Sequence, residues 1–174
     1  LCIFDLYIEK YDGFIYNKIE VILMDMKKIL SELTIEEKAS LLVGKDAWNT
    51  MDIERLDIPS IVMADGPHGL RKVIDGGSIE EVAEKAVCYP SLVTLASSFD
   101  PDLAFHMGDL IAKEFKSKGV HIILGPGVNI KRHPFCGRNF EYFSEDPLVT
   151  SKLATAYVKG AKSNDIGVAV KHYA

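Results

Sequence analysis

The sequence predicts an α/β fold in which helices cover a parallel sheet, and three observations support this prediction. Two helix signals each begin at an Asp-Pro pair, at Asp100 and Asp146. Each predicted helix is followed by a short, mostly apolar run typical of a buried strand, at residues 120–124 and 167–170. Each strand candidate leads into a polar or glycine-rich loop. Strands that alternate with helices in this way indicate βα units and a parallel sheet.

The first predicted element along the chain is a helix that begins at Thr34. Glu37 lies three residues further on, so that the two residues form a capping box, and Gly44 is the predicted end. Residues 60–64 then form a short apolar strand candidate, which runs directly into the turn signal Asp65-Gly66-Pro67. The charged, glycine-containing segment 72–85 is predicted to be a surface excursion.

Both later helices have an aspartate at the N-cap and a proline at the first helical position, which are typical helix starts. Apolar residues at helical spacing predict one buried face on each helix. These residues are Leu103, Met107, Leu110, Ile111 and Phe115 in the first helix, and Val149, Leu153, Ala156 and Tyr157 in the second.

The composition is that of an ordinary globular domain, with 174 residues, 48% hydrophobic residues, 26% charged residues and a net charge of −5. The acidic balance disfavours a nucleic-acid partner, and no apolar run is long enough for a membrane span. Three cysteines without metal-ligand spacing favour a reducing, cytoplasmic location. His133 and Cys136 have the only ligand-like spacing, so that neither a metal site nor a cofactor is expected.

Residues 1–23 differ from the rest of the sequence. Acidic and basic residues interrupt their apolar stretches, so that they contain no signal-peptide core. The chain begins with Leu1, whereas Met24 and Met26 lie close to the first helix signal. We interpret residues 1–23 as an extension upstream of the natural start, and residues 24–174 as the folded domain.

Asp65 is a candidate functional residue because it follows a strand, where α/β folds carry their chemistry. Its carboxylate can accept hydrogen bonds from neighbouring sugar hydroxyls, or act as a base or nucleophile. The alternative is an aspartate that only stabilises the turn, since aspartate is common there.

The long loop at 132–145 mixes charged and aromatic residues, which suits a sugar site. Arg138 offers planar, permanently charged donors to hydroxyls or carboxylates. The alternative is a loop paired within itself, in which Arg138 bridges to Glu141 or Glu145. We interpret these two glutamates as orienting groups rather than catalysts.

Lys171 and His172 end the last strand candidate. Neighbouring residues of a strand point to opposite faces, but a bend at the strand end would let both side chains converge. His68 is predicted to line a pocket rim, whereas His106 and His121 are predicted to be structural.

These segments together resemble glycoside hydrolase family 3, the β-glucosidase group. The resemblance runs from about Leu33 to Ala174 and includes "ADGPHGLR", "GRNFEYFSEDP" and "VKHYA" in family order. It implies the N-terminal portion of a TIM-like (β/α)8 barrel, incomplete in this chain, since a full barrel needs roughly 250 residues. It also implies that the sugar in the −1 subsite contacts four side chains, those of Asp65, Arg138, Lys171 and His172.

The same resemblance implies hydrolysis of terminal β-D-glucosyl residues by a retaining mechanism, carried by the full-length protein. The family's nucleophile and its acid/base belong to later segments, so that no catalytic residue is expected within this chain. Its partners would be a β-glucoside or oligosaccharide and the C-terminal part of the same chain. The isolated chain is expected to be inactive and prone to aggregation. The alternative is a non-catalytic sugar-binding protein or pseudoenzyme from a truncated gene.

Overall fold

The computed structural model describes residues 26–73 and 83–173. The predicted extension at residues 1–23 lies outside the described residues, as does most of the predicted surface excursion. The chain divides into two compact units, one of Leu1–Gly44 with Met51–Pro59 and the other of Lys45–Thr50 with Ser60–Ala174.

The smaller unit contains helical residues 26–32 and helix α1, Ile35–Ser40. The predicted capping box is confirmed: the Glu37 N–H donates to the Thr34 hydroxyl at 3.1 Å, and the Thr34 N–H donates to the Glu37 carboxylate at 2.9 Å. Arg55 also donates to that carboxylate at 2.7 Å. These donors, with Arg55 first, lower the pKa of Glu37 to about 2. The helix ends at Ser40, earlier than the predicted end at Gly44.

Replacing Thr34 by alanine should lower the free energy of unfolding by about 1 kcal/mol, because the first helical turn loses its side-chain acceptor. Denaturant unfolding of the protein measures this loss. Thr155→Ala is the matched control, since Thr155 is exposed inside a helix, where alanine is the better helix former. Equal effects of the two substitutions would contradict a capping role for Thr34.

The larger unit is built on a three-stranded parallel sheet in the order β1-β2-β3. The strands are β1, Met63–Asp65, β2, Ile122–Leu124, and β3, Gly167–Val168. The predicted parallel sheet is confirmed, and the described strands form an open sheet. Its strands are shorter than the apolar runs, and β1 lies later than the predicted 60–64, because pairing with β2 at Ile122–Leu124 sets its limits.

Three helices accompany this sheet: α2, Leu92–Ala96, α3, Pro101–Ser117, and α4, Pro147–Lys162. Asp100 and Asp146 cap α3 and α4 as predicted, and each carboxylate accepts from two backbone N–H groups. Helix α2 was not predicted, since five residues are too few for a helical period to show.

Helices α3 and α4 pack on each other around buried apolar side chains, which include Met107, Ile111, Phe115, Leu153 and Tyr157. The predicted buried face of α3 is wrong at two positions, because Leu103 and Leu110 are 47% and 50% exposed. Small residues take their place in the contact: Ala104, Gly108 and Ala112 are buried. The helix backbones therefore approach more closely than large side chains would allow.

Within the described ranges, no helix is both long and apolar enough to cross a membrane.

Candidate functional site

A tight turn at the end of β1 fixes the position of Asp65. Gly66 has a φ of +128°, and a Cβ atom there would lie 1.7 Å from the Gly69 carbonyl oxygen. Only glycine therefore fits this position. The Arg71 N–H donates to the Asp65 carbonyl at 2.8 Å, and the buried Tyr157 hydroxyl donates to the Pro67 carbonyl at 3.3 Å. The carboxylate of Asp65 thus projects from a constrained backbone.

Lys171 follows β3 and forms an ion pair with Asp65. The Lys171 N–H donates to the Pro126 carbonyl at 3.0 Å, and the Lys171 carbonyl accepts from Val128 at 2.7 Å. This pairing brings the Lys171 ammonium to 2.6 Å from the Asp65 Oδ1. The side chains are 18% and 33% exposed, so that the pair lies partly sheltered from water.

Arg138 is held by Glu141 across a short 3₁₀ turn at Asn139–Glu141. Glu141 is buried and accepts a hydrogen bond from the Arg138 Nε. This bond raises the pKa of Arg138 above its usual range. The turn lies close to Gly127, which a larger residue would prevent, since a Cβ there would lie 2.9 Å from both the Glu141 carbonyl and the Tyr142 ring.

His172 follows Lys171 in the chain, and its ring contacts Arg138 and Tyr142. Its Nε2 lies 2.7 Å from a terminal nitrogen of Arg138, and its Nδ1 lies 3.0 Å from the Tyr142 hydroxyl. The His172 N–H donates to the Asn129 side-chain oxygen at 2.7 Å. Burial lowers the pKa of His172, and the positive charges of Arg138 and Lys171 lower it further.

The structure therefore brings all four predicted site residues together at the C-terminal end of the sheet. Their contacts with a sugar stay a prediction. The alternative of a loop paired within itself is also correct for Arg138 and Glu141, so that Glu141 orients Arg138. Glu145 is exposed and lines a different cavity of about 350 Å3 together with Lys131.

Sequence reasoning missed Tyr142 and Asn129. Tyr142 is one of several aromatic residues of the loop at 132–145, and nothing in the sequence distinguishes Asn129. Both reach His172 through the fold, from 30 and 43 residues away along the chain.

His68 lies, as predicted for a pocket rim, beside the cluster formed by Asp65, Arg138, Glu141, Lys171 and His172. It lines a cavity of about 400 Å3 that Asp65, Phe140 and Glu141 also line. The rings of His68 and Phe140 are 6.0 Å apart, and burial lowers the pKa of His68. The structural role predicted for His121 is confirmed, because its Nδ1 accepts from the Val62 N–H at 2.9 Å.

Among residues 26–73 and 83–173, no group of three or more His, Cys, Asp or Glu side chains could hold a metal ion.

The fold is that of an α/β protein with a parallel sheet. Its charged side chains lie at the C-terminal ends of the strands, where barrel enzymes bind their substrates. Residues 27–174 match the family model described as the glycosyl hydrolase family 3 N-terminal domain. The chain therefore belongs to glycosyl hydrolase family 3.

Relatives of known activity are similar over most of this chain. It is 49% identical over 153 residues to thermostable β-glucosidase B of Acetivibrio thermocellus, a match that covers 87% of the chain and 20% of the relative. It is 44% identical to an exo-α-(1→6)-L-arabinopyranosidase of Bifidobacterium longum, over 83% of the chain and 20% of that relative.

A solved structure supports the fold. β-Glucosidase from Kluyveromyces marxianus in complex with glucose matches with a TM-score of 0.78 and 42% identity, over 84% of this chain and 17% of that one. The chain is thus an incomplete N-terminal portion of a TIM-like barrel, as predicted. It spans about a fifth of the length of the first of these curated relatives.

Proposed function

We propose that this chain forms the sugar-binding half of a β-glucosidase active site. In this proposal Asp65, Arg138, Lys171 and His172 contact the sugar in the −1 subsite. The whole protein then removes terminal β-D-glucosyl residues from β-glucosides with retention of configuration. The observation that carries the proposal is the convergence of these four side chains at the sheet's C-terminal end, in a member of family 3.

The chemistry of the cluster suits a ring of hydroxyl groups. Asp65 offers acceptors, whereas Arg138 and Lys171 offer charged donors, and bonds to charged groups are stronger than neutral ones. Because two carboxylates balance two cations, the cluster favours a neutral polyhydroxy ligand over a strongly charged one. The adjoining cavity of about 400 Å3 lies within the usual range for small-ligand sites.

The choice of a glucosyl group is supported by the relatives. The curated relative with 49% identity is a β-glucosidase, and one solved relative is in complex with glucose. Because another relative is an arabinopyranosidase, α-L-arabinopyranosides are the substrates with which β-glucosides should be compared.

The catalytic carboxylates are proposed to come from the protein outside this sequence. A retaining mechanism needs a nucleophile and an acid/base group on the two sides of the glycosidic bond. The two carboxylates of the described cluster are each engaged with a cation, Asp65 with Lys171 and Glu141 with Arg138. Both are therefore assigned to binding and positioning.

The test compares the protein as its gene encodes it with the isolated 174-residue chain, both purified from a host that lacks β-glucosidase. We expect the gene product to hydrolyse p-nitrophenyl β-D-glucoside faster than the α-L-arabinopyranoside, and glucose to inhibit it. The isolated chain should aggregate and show no turnover. Turnover by the isolated chain would overturn the assignment of the catalytic groups to other segments.

Calorimetric titration of the gene product and its Asp65→Asn variant with glucose separates the alternative of a non-catalytic sugar-binding protein. A gene product that binds glucose through Asp65 but hydrolyses neither glycoside would support that alternative. A cytoplasmic location remains part of this proposal, supported by the free, exposed Cys88 and Cys136.

A further inference from the structure

Both ring nitrogens of His172 are engaged by side chains from the loop that contains Arg138 and Tyr142. The Nε2 atom faces a terminal nitrogen of Arg138 at 2.7 Å, and the Nδ1 atom faces the Tyr142 hydroxyl at 3.0 Å. These contacts come from residues 34 and 30 positions earlier in the chain. The ring is thus fixed at both ends, and the chemistry of its partners determines where its proton lies.

Arg138 decides the role of Nε2. A guanidinium group carries only N–H donors and does not lose its charge in proteins. Nε2 must therefore accept, and an accepting ring nitrogen carries no proton. A protonated ring would place an N–H group against the N–H group of Arg138.

Tyr142 completes the assignment at the other nitrogen. A neutral imidazole without a proton on Nε2 carries it on Nδ1, where it donates to the Tyr142 oxygen. Tyr142 is 6% exposed, so that little water competes for this bond. The His172 backbone N–H, held by Asn129, fixes the ring's attachment point.

The charges around the ring come from both sides of the cluster. Arg138 and Lys171 are the cations that face it, and Glu141 and Asp65 are the anions. Burial is the largest cause of the lowered pKa of His172, and the two cations outweigh the two anions in the same direction. The electrostatics of the cluster thus agree with the donor and acceptor geometry.

We propose that Arg138 and Tyr142 hold His172 as the neutral tautomer with its proton on Nδ1, which makes Tyr142 a positioning residue of the site. The Nε2 lone pair is then occupied by Arg138, so that a sugar hydroxyl that binds His172 has to donate its hydrogen bond to Nε2 in place of Arg138. This consequence for sugar binding rests on the proposed function, whereas the tautomer itself does not.

Nitrogen NMR of the gene product with 15N-labelled histidine tests the tautomer directly, in the absence of sugar. His172→Gln identifies the signals of His172. The pKa of His172 should lie below that of a free histidine, and at neutral pH we expect a protonated Nδ1 and an unprotonated Nε2. A proton on Nε2, or a charged ring at that pH, would overturn the proposal whether or not the protein hydrolyses glucosides.

Arg138→Met tests the cause of the tautomer. Methionine keeps much of the side chain's length but has no N–H donor and no charge. We expect the His172 proton to redistribute toward Nε2 and the pKa of His172 to rise, as followed by the same nitrogen signals. An unchanged tautomer with an unchanged pKa would show that Arg138 does not set it.

Tyr142→Phe tests the positioning role, because it removes only the hydroxyl oxygen. The Nδ1 proton should exchange faster with water, and glucose affinity should fall about tenfold, the usual worth of one such hydrogen bond. Tyr89→Phe is the matched control, because the structure describes no hydrogen bond of the Tyr89 hydroxyl. The glucose affinity of this variant should not change. Slow Nδ1 exchange in folded Tyr142→Phe would refute the role of Tyr142, even if glucose binding were absent from every variant.

Discussion

Replacing Asp65 by asparagine is expected to weaken glucose binding by about 100- to 10,000-fold. In the proposed function, the Asp65 carboxylate accepts two hydrogen bonds from sugar hydroxyls. Each bond to a charged group contributes about 1.5 to 3 kcal/mol. The substitution also leaves the Lys171 ammonium without the partner that it contacts at 2.6 Å. Calorimetric titration with glucose and the value of kcat/KM for an aryl β-glucoside measure the effect in the gene product.

Asp165→Asn is the matched control for this experiment. Asp165 forms a surface ion pair with Lys116 at 3.3 Å, and its side chain is 92% exposed. Exposed pairs of this kind contribute little, so that glucose affinity and activity should not change. If folded Asp65→Asn binds glucose as well as the unaltered protein, Asp65 only stabilises the turn after β1.

Replacing Gly108 by alanine is expected to lower the free energy of unfolding by about 3 kcal/mol, because an oversized side chain in a packed core forces the backbone apart. A Cβ atom at Gly108 would lie 2.1 Å from the Tyr157 carbonyl oxygen of helix α4. The expected sign is the reverse of the usual one, since alanine inside a helix is normally more stable than glycine by about 1 kcal/mol. Denaturant unfolding followed by circular dichroism measures the loss.

Glucose affinity should fall in the same variant, because α4 carries Tyr157, whose hydroxyl holds the Pro67 carbonyl in the turn that positions Asp65. Gly137→Ala is the control: a Cβ at Gly137 meets no atom within 4 Å, and its stability should change by less than about 0.5 kcal/mol. Stability of Gly108→Ala equal to that of the control would contradict the close approach of α3 and α4.

The starts of the helices could be predicted closely from the sequence. Asp100 and Asp146 each accept hydrogen bonds from backbone N–H groups two and three residues further along the chain. A cap of this kind depends on neighbouring residues alone. The capping box at Thr34 was predictable for the same reason.

The limits of the strands and the buried face of α3 could not be predicted as well. Strand β1 ends where its pairing with β2 ends, and the pairing partner lies at Ile122–Leu124, far along the chain. Leu103 and Leu110 have the spacing of a buried face, yet both are half exposed. Gly108 decides this orientation through its contact with Tyr157 of α4, which helical spacing does not reveal.

The sequence by itself determined the parallel arrangement of the strands, because helix caps and strand ends are local signals. Its motifs also carried the family resemblance, which selected the four candidate site residues. Only the tertiary structure decided how the four residues are paired. Lys171 reaches Asp65 across 106 residues, and Arg138 and Tyr142 enclose His172 from a loop that Gly127 allows to approach. Hydrogen-bond partners of this kind depend on distances between segments that are remote in sequence, and those distances exist only once the sheet has formed.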